Sequence, residues 1–243
     1  PFALAEHYGV DQVRYYFLRE VAFGADGSYS PESIAVRVNA DLANGLGNLA
    51  QRCLSMIAKG FAGEVPEPEA FSEADKALLA KADALYGTCR AAMDRQAIKS
   101  WLDAMWDVVA EGDRYFANEK PFDKGLTPER KGTILYVTAE VVRQLAILAQ
   151  PVMPVSADKL LGLLGQGEAA DARAFSALGP AGRLKPGTQL PEPQGVFPRY
   201  VDPAAEASRK GAGQSAEEQQ AAKLAKQAKR EASRQKSKSE DST

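Results

Sequence analysis

The sequence predicts an all-α protein: a short helical lead-in, an antiparallel helical bundle over residues 31–165, an extended return segment and a charged tail. Three observations carry this. Apolar residues recur at steps of three and four rather than two. Hydroxyl–proline pairs, which start helices, stand at Ser30-Pro31 and Thr127-Pro128. No periodic β pattern occurs in the first 165 residues. At 243 residues, 45% hydrophobic and 26% charged, the chain can bury a substantial core.

The elements follow in order. Asp11 is placed to cap a helix from Gln12 to Val21, which the Gly24-Ala25-Asp26-Gly27 turn ends. From Ser30-Pro31, apolar residues at Ile34, Val38, Leu42, Leu46, Leu49 and Cys53 mark one face of a single long helix ending near Gly60. Residues 63–69 are a Pro-rich linker, and Ser72 caps the next helix through about Met93. A third long helix runs from about Arg95 to Asn118, with Pro121 just beyond it, where a helix does not readily continue. Thr127-Pro128 opens a helix that stops before Pro151, and Ser156 caps a short one across Lys159–Leu164. Residues 166–203 are rich in Gly and Pro. Their apolar pieces at Leu184, Leu190 and Val196-Phe197 predict an extended return along the bundle that docks Phe197. From Val201 on there is no aromatic residue, so the tail is expected to be disordered, with Ala221–Ala232 having the composition of a marginal helix.

Several function classes fall away. No uninterrupted apolar run approaches the roughly 18 residues of a bilayer span, so no membrane-crossing helix is expected. The N-terminus has no initiator Met, basic region or apolar core of a signal peptide, and reads as a cut inside a longer protein. Two cysteines, Cys53 and Cys89, make neither a disulfide framework nor a metal pair, and fit a reducing cytoplasmic setting. With His7 the single histidine, there is no His-based triad or zinc site, no Gly-rich phosphate loop and no nucleophile elbow. No catalytic residue, metal ligand or cofactor is expected in this chain. Charge is uneven. From Ala204 on, nine Lys and Arg face six Asp and Glu, leaving a tail of net +3 on a body of net −5. The stretch 223–238 is the most basic part, read either as a non-specific polyanion contact or as a solvated tail.

The face opposite the apolar stripe is more informative. With about 100° per residue and Leu42 at zero, Asn44, Asn48 and Arg52 fall near 200°, 240° and 280°, on one flank with Arg37 and Asp41. Asn offers paired donor and acceptor, and Arg a flat fork that bonds and stacks. Such groups suit the edges of unstacked bases, although an exposed helix face is polar in any case. Gly45 and Gly47 each cost about 1 kcal/mol against Ala within a helix. Close packing or a backbone left open for a ligand would account for them. Phe122, after Pro121, either stacks a base at the bundle end or plugs the core.

The residues also match a family. The segment Pro1–Glu20 resembles the one that follows the Lys-Met-Ser-Lys-Ser loop in bacterial methionyl-tRNA synthetases. Arg37-Val38-Asn39-Ala40-Asp41-Leu42-Ala43-Asn44-Gly45-Leu46-Gly47-Asn48-Leu49-Ala50-Gln51-Arg52 is similar to the first helix of that family's anticodon-binding bundle. Ala149-Gln150-Pro151-Val152-Met153-Pro154 and Val196-Phe197-Pro198-Arg199 resemble later landmarks. The likeness covers about residues 1–200 and leaves the tail outside.

The resemblance implies a bundle of the class I synthetase anticodon-binding type at 31–165, a connector at 1–30 touching the inner arm of the L-shaped tRNA, a return segment at 166–203 and an appended tail at 204–243. It implies that Asn48 and Arg52 contact a CAU anticodon, with Asn44 one turn earlier on the same surface. Pro121-Phe122 stands where the family usually has Pro-Trp, whose ring stacks on an anticodon base; Phe keeps a π face of smaller area. The methionine pocket, the His-Ile-Gly-His signature and the Lys-Met-Ser-Lys-Ser loop would lie upstream of Pro1, and Lys236-Ser237-Lys238-Ser239 is a coincidental likeness to the last of these. The full enzyme would use ATP with magnesium to charge initiator and elongator methionine tRNA. Bundles of this kind also occur in the synthetases for cysteine, leucine, isoleucine and valine. A helical protein-interaction module with a basic tail is the reading of a different class.

Overall fold

A computed structural model describes residues 1–167 and 170–201; the basic stretch 223–238 and the expected marginal helix at Ala221–Ala232 lie outside the described residues. Pro1–Tyr200 form one compact unit. Two short helices, α1 (Phe2–Tyr8) and α2 (Val10–Glu20), lead into α3 (Pro31–Arg37). A wide turn of π type, Val38–Leu46, then joins α3 to α4 (Gly47–Gly60). The bundle continues through α5 (Glu73–Met93), α6 (Ile98–Glu119), α7 (Pro128–Ala149) and α8 (Pro154–Leu163).

Three helix starts are as local chemistry dictates. Ser30 and Ser72 each accept the amide N–H of the third helical residue while Ser33 and Asp75 reach back, completing capping boxes. Thr127 accepts from the Arg130 amide, with Pro128 at the first position.

Two expected caps are corrected. Asp11 lies inside α2 and is buried; its Oδ2 accepts the Ser156 amide N–H at 2.6 Å, so it caps α8 rather than its own helix. Ser156 in turn lies inside α8, which starts at Pro154. A carboxylate at the N-terminus of α8 suits the unpaired amides and positive dipole end there.

The helices alternate in direction. On α5 and α6, Asp75 meets Tyr115, Lys81 meets Glu111 and Cys89 meets the Trp101 carbonyl, an antiparallel register. On α4 and α7, the Cys53 thiol donates to the Leu135 carbonyl while Phe61 lies beside Gly132, again antiparallel. On α4 and α6, Leu49 lies beside Gly112 and Arg52 over Phe116, so these two helices run parallel.

Helix α7 is buried from Gly132 to Ala149. It is the one helix among the described residues that is long and apolar enough to cross a membrane, which apolar runs alone did not predict, and its apolar window is wholly enclosed by the bundle. Its charges are satisfied inside the core: Arg143 donates to both Glu140 oxygens at 2.8–2.9 Å, and the Leu184 amide donates to Glu140 as well.

The return segment is extended from Arg183 on, as expected, but its first part is not: Ala170–Arg173 form one helical turn, and Phe175–Ala177 and Pro180–Gly182 form short 3-10 turns. It pairs with the linker through Val65 N–H to the Thr188 carbonyl, Gly187 N–H to the Val65 carbonyl and Leu190 N–H to the Gly63 carbonyl. Leu184, Leu190 and Phe197 are buried. Asn39 holds its end by donating to the Tyr200 carbonyl and accepting the Tyr200 amide, at 2.9 and 2.8 Å. His7, exposed on α1, shares a 2.5 Å hydrogen bond with the Tyr200 hydroxyl.

Candidate nucleic-acid interface

The expected single helix over 31–60 is interrupted at the wide turn. There the Gly47 amide reaches back five residues to the Leu42 carbonyl, and Gly45 leaves helical dihedrals at φ −90°, ψ −109°. The Asp41 carbonyl accepts the Trp106 indole N–H at 3.1 Å, which ties the turn to α6. Gly47 sits in close packing rather than on an open backbone, whereas Gly45 has room for a side-chain carbon. A Cβ at Gly47 would lie 2.7 Å from the Leu42 carbonyl oxygen and 3.2 Å from Phe197, so this position seats the return segment. A Cβ at Gly45 would fall in ordinary contact with Val109 and Trp106.

The polar flank divides at this turn. Arg37 donates to Glu20 at 2.5 and 2.8 Å, and Asp41 accepts the Tyr15 hydroxyl at 2.6 Å with Arg37 and Arg19 alongside. Burial, reinforced by Asp41, pushes the Tyr15 hydroxyl well above its ordinary value. Arg37 and Asp41 therefore tie α2 to the bundle and do not join an open surface. Asn44 and Asn48, by contrast, are exposed on successive turns.

Arg52, one turn further along α4, is half-buried. Its guanidinium carbon lies 4.5 Å from the centre of the Phe116 ring on α6, a cation–π contact, and Phe116 itself is fully buried. The helices come this close because Gly112 lacks a side chain: a Cβ there would be 2.8 Å from Leu49 Cδ2. Burial pushes the Asp113 carboxyl above its ordinary value, and the nearby Arg52 charge pulls it partly back.

The end of α6 supplies the remaining candidates. Lys120 adopts the left-handed conformation (φ 48°, ψ 58°), and its amide bonds the Phe116 carbonyl at 3.2 Å. The Asp123 amide then bonds the Lys120 carbonyl at 2.8 Å, closing a tight turn around Pro121 and Phe122. Pro121 is buried under this turn, whereas Phe122 is 57% exposed. Phe122 is thus no core plug; Phe116 fills that role. Sequence reasoning missed Phe116, which reads as one more apolar residue of a helix stripe.

This is a helical bundle that presents exposed amides, a seated guanidinium and an exposed aromatic on the parallel pair α4 and α6 and on the turn that follows α6, groups suited to unstacked bases. Residues 65–216 match the family model for the anticodon binding domain of methionyl tRNA ligase, and residues 1–54 match that for class I tRNA synthetases (M). The chain belongs to the methionyl-tRNA ligase family. The methionine–tRNA ligase of Rhizobium meliloti (strain 1021) is 57% identical over 206 residues, covering 84% of this chain and 40% of that protein. That of Mycobacterium tuberculosis (strain ATCC 25618 / H37Rv) is 54% identical over 208 residues, covering 84% and 39%. Two solved structures of Mycobacterium tuberculosis methionyl-tRNA synthetase superpose with a TM-score of 0.78 at 54% identity. The free form covers 83% of this chain and 41% of that one, and the methionyl-adenylate complex covers 82% and 39%. The chain spans about two fifths of the length of these relatives.

Proposed function

We propose that this chain is the tRNA-reading part of a methionine–tRNA ligase and that the surface of α4 and the α6–α7 turn receives a CAU anticodon. The observation that carries the reading is the seated Arg52 guanidinium, with exposed Asn48 one turn away on α4 and exposed Phe122 in a closed turn just past the end of α6. Asn44, Asn48 and Arg52 bond base edges, Phe122 stacks on a base, and Pro121 fixes the turn from beneath. Residues 1–30 act as the connector to the tRNA inner arm, 31–165 as the reading bundle and 166–203 as its return strap. The tail from 204 adds sequence-independent attraction through 223–238. The whole ligase joins methionine to initiator and elongator methionine tRNA in the cytoplasm, using ATP and magnesium at a site this chain does not carry.

The test is binding of the chain to tRNA bearing CAU against the same tRNA with its anticodon changed, at two salt concentrations. Discrimination that survives the higher salt is expected. Equal, salt-labile binding to both would overturn the reading and leave only the basic tail at work.

A further inference from the structure

Resting on the reading of Arg52 as a base-contacting residue, we infer that the buried Phe116 ring is its positioning residue, holding the guanidinium in its working place before RNA arrives. Arg52 has four rotatable side-chain bonds and stands at the edge of a solvated face, where an unsupported arginine samples many rotamers. Here its cation lies over a ring that is itself immobilised, because Phe116 is fully buried and Gly112, four residues back, presses α6 against Leu49 of α4. Among the described residues no carboxylate lies within ion-pair distance of Arg52; Asp113 is near enough to feel its charge but makes no salt bridge with it. A carboxylate partner would have to be surrendered when a base took the guanidinium edge. A π face leaves that edge free for hydrogen bonds while one face of the group stays occupied. Pre-seating removes ordering cost from the binding step. The same residue's carbonyl anchors Lys120 and hence the turn carrying Phe122, and that tie is made by backbone, so it persists whatever side chain stands at 116.

The ring's role is therefore separable by substitution. Phe116→Leu keeps an apolar group in the core and removes the π face; Phe116→Tyr keeps the π face. Affinity of the full chain for tRNA bearing CAU is measured for the parent, Phe116→Leu, Phe116→Tyr, Arg52→Ala and the double variant Phe116→Leu/Arg52→Ala. Phe116→Leu is expected to weaken binding about two- to tenfold, Phe116→Tyr to retain it, and Phe116→Leu to add nothing once Arg52 is gone. An equal loss from Phe116→Leu in both backgrounds would mean the ring acts through packing alone and would overturn the inference. So would an unchanged affinity for Phe116→Leu where Arg52→Ala weakens binding. Unchanged affinity for Arg52→Ala would instead fail the base-contact assignment itself, and the inference with it. Should the leucine variant not fold, the parent chain decides: the Arg52 side-chain proton resonances are expected to be shifted upfield by the ring current of Phe116 in the free protein, and their absence from that region would refute the seating.

Discussion

Replacing Gly47 with alanine sets two opposed effects against each other at one backbone position. Alanine in place of glycine within a helix gains about 0.5–1 kcal/mol from reduced backbone freedom. Against this, the added Cβ would lie 2.7 Å from the Leu42 carbonyl oxygen and 3.2 Å from Phe197 Cβ and Cδ2. The carbonyl cannot swing aside without losing the bond it accepts from the Gly47 amide, and Phe197 is buried in the return segment. Overpacking of this kind costs about 1–3 kcal/mol. Gly87, exposed on α5, has no atom within 4 Å of its would-be Cβ, so Gly87→Ala collects the propensity gain alone. The difference between the two variants thus isolates the crowding, about 1–3 kcal/mol. Urea unfolding of the full chain followed by circular dichroism measures it, with midpoints compared at unchanged slope. Gly87→Ala should move the midpoint up and Gly47→Ala should leave it level or move it down. A Gly47→Ala midpoint as high as that of Gly87→Ala would refute the close approach of wide turn and return segment.

Arg52→Ala should weaken CAU-tRNA binding by about 1–3 kcal/mol in equilibrium titration, with the fold kept, because the side chain sits at the edge of the core. Phe122→Ala should cost about 1–3 kcal/mol of the same affinity, and Phe122→Trp should improve it through a larger stacking face; unfolding midpoints should hardly move, since the ring is exposed. At Asp75, burial alone would raise the carboxyl, but bonds from Arg130, Tyr115 and the Ser72 amide together outweigh it and hold the group below its ordinary value. Stability from this carboxylate is therefore fully present above about pH 4 and lost as pH falls through the folded value. The parent's urea midpoint should drop on acidification below that point, and Asp75→Asn should be less stable at neutral pH with a shallower acid slope. Deleting residues 204–243 should flatten the salt dependence of tRNA binding, since fewer counterions are then released; an unchanged slope would remove the tail from the interface.

What could be read from the sequence was mostly local. Ser30, Ser72 and Thr127 announce helices because a cap needs only the next three residues. The apolar stripe from Ile34 to Cys53 is buried at every position, and Phe197 docks because an aromatic in a Gly- and Pro-rich strap has nowhere else to bury. Pairings across the chain were not readable. Asp11 looks like a cap for its own helix, and its partner Ser156 is 145 residues away. Arg37 and Asp41 share a helical-wheel flank with Asn44 and Asn48, and only the packing of α2 assigns the first pair to structure.

That flank divides for a reason the spacing already contained. Ile34, Val38, Leu42 and Leu46 follow one another at steps of four. On a helix of 3.6 residues per turn each such step advances about 40°, so three in a row rotate the stripe by about 120°. A regular helix would carry Leu46 towards solvent, yet all four residues are fully buried or nearly so. A wider turn with bonds five residues apart reconciles the two, because each four-residue step within it falls short of a full turn and offsets the advance of the α-helical step before it. The turn also displaces everything after it relative to an ideal wheel. Arg37, just before the turn, and Asp41, in its first half, bond residues of α2; Asn44 and Asn48 beyond them are exposed, and Arg52 arrives over Phe116. Local widening of a helix is found often at functional sites, and here its physical effect is specific: it divides one polar flank into a structural half and an exposed half. A run of four-residue apolar steps beside a Gly-x-Gly pair is thus a sequence signal for such a turn, and in this chain it marks where the candidate interface begins.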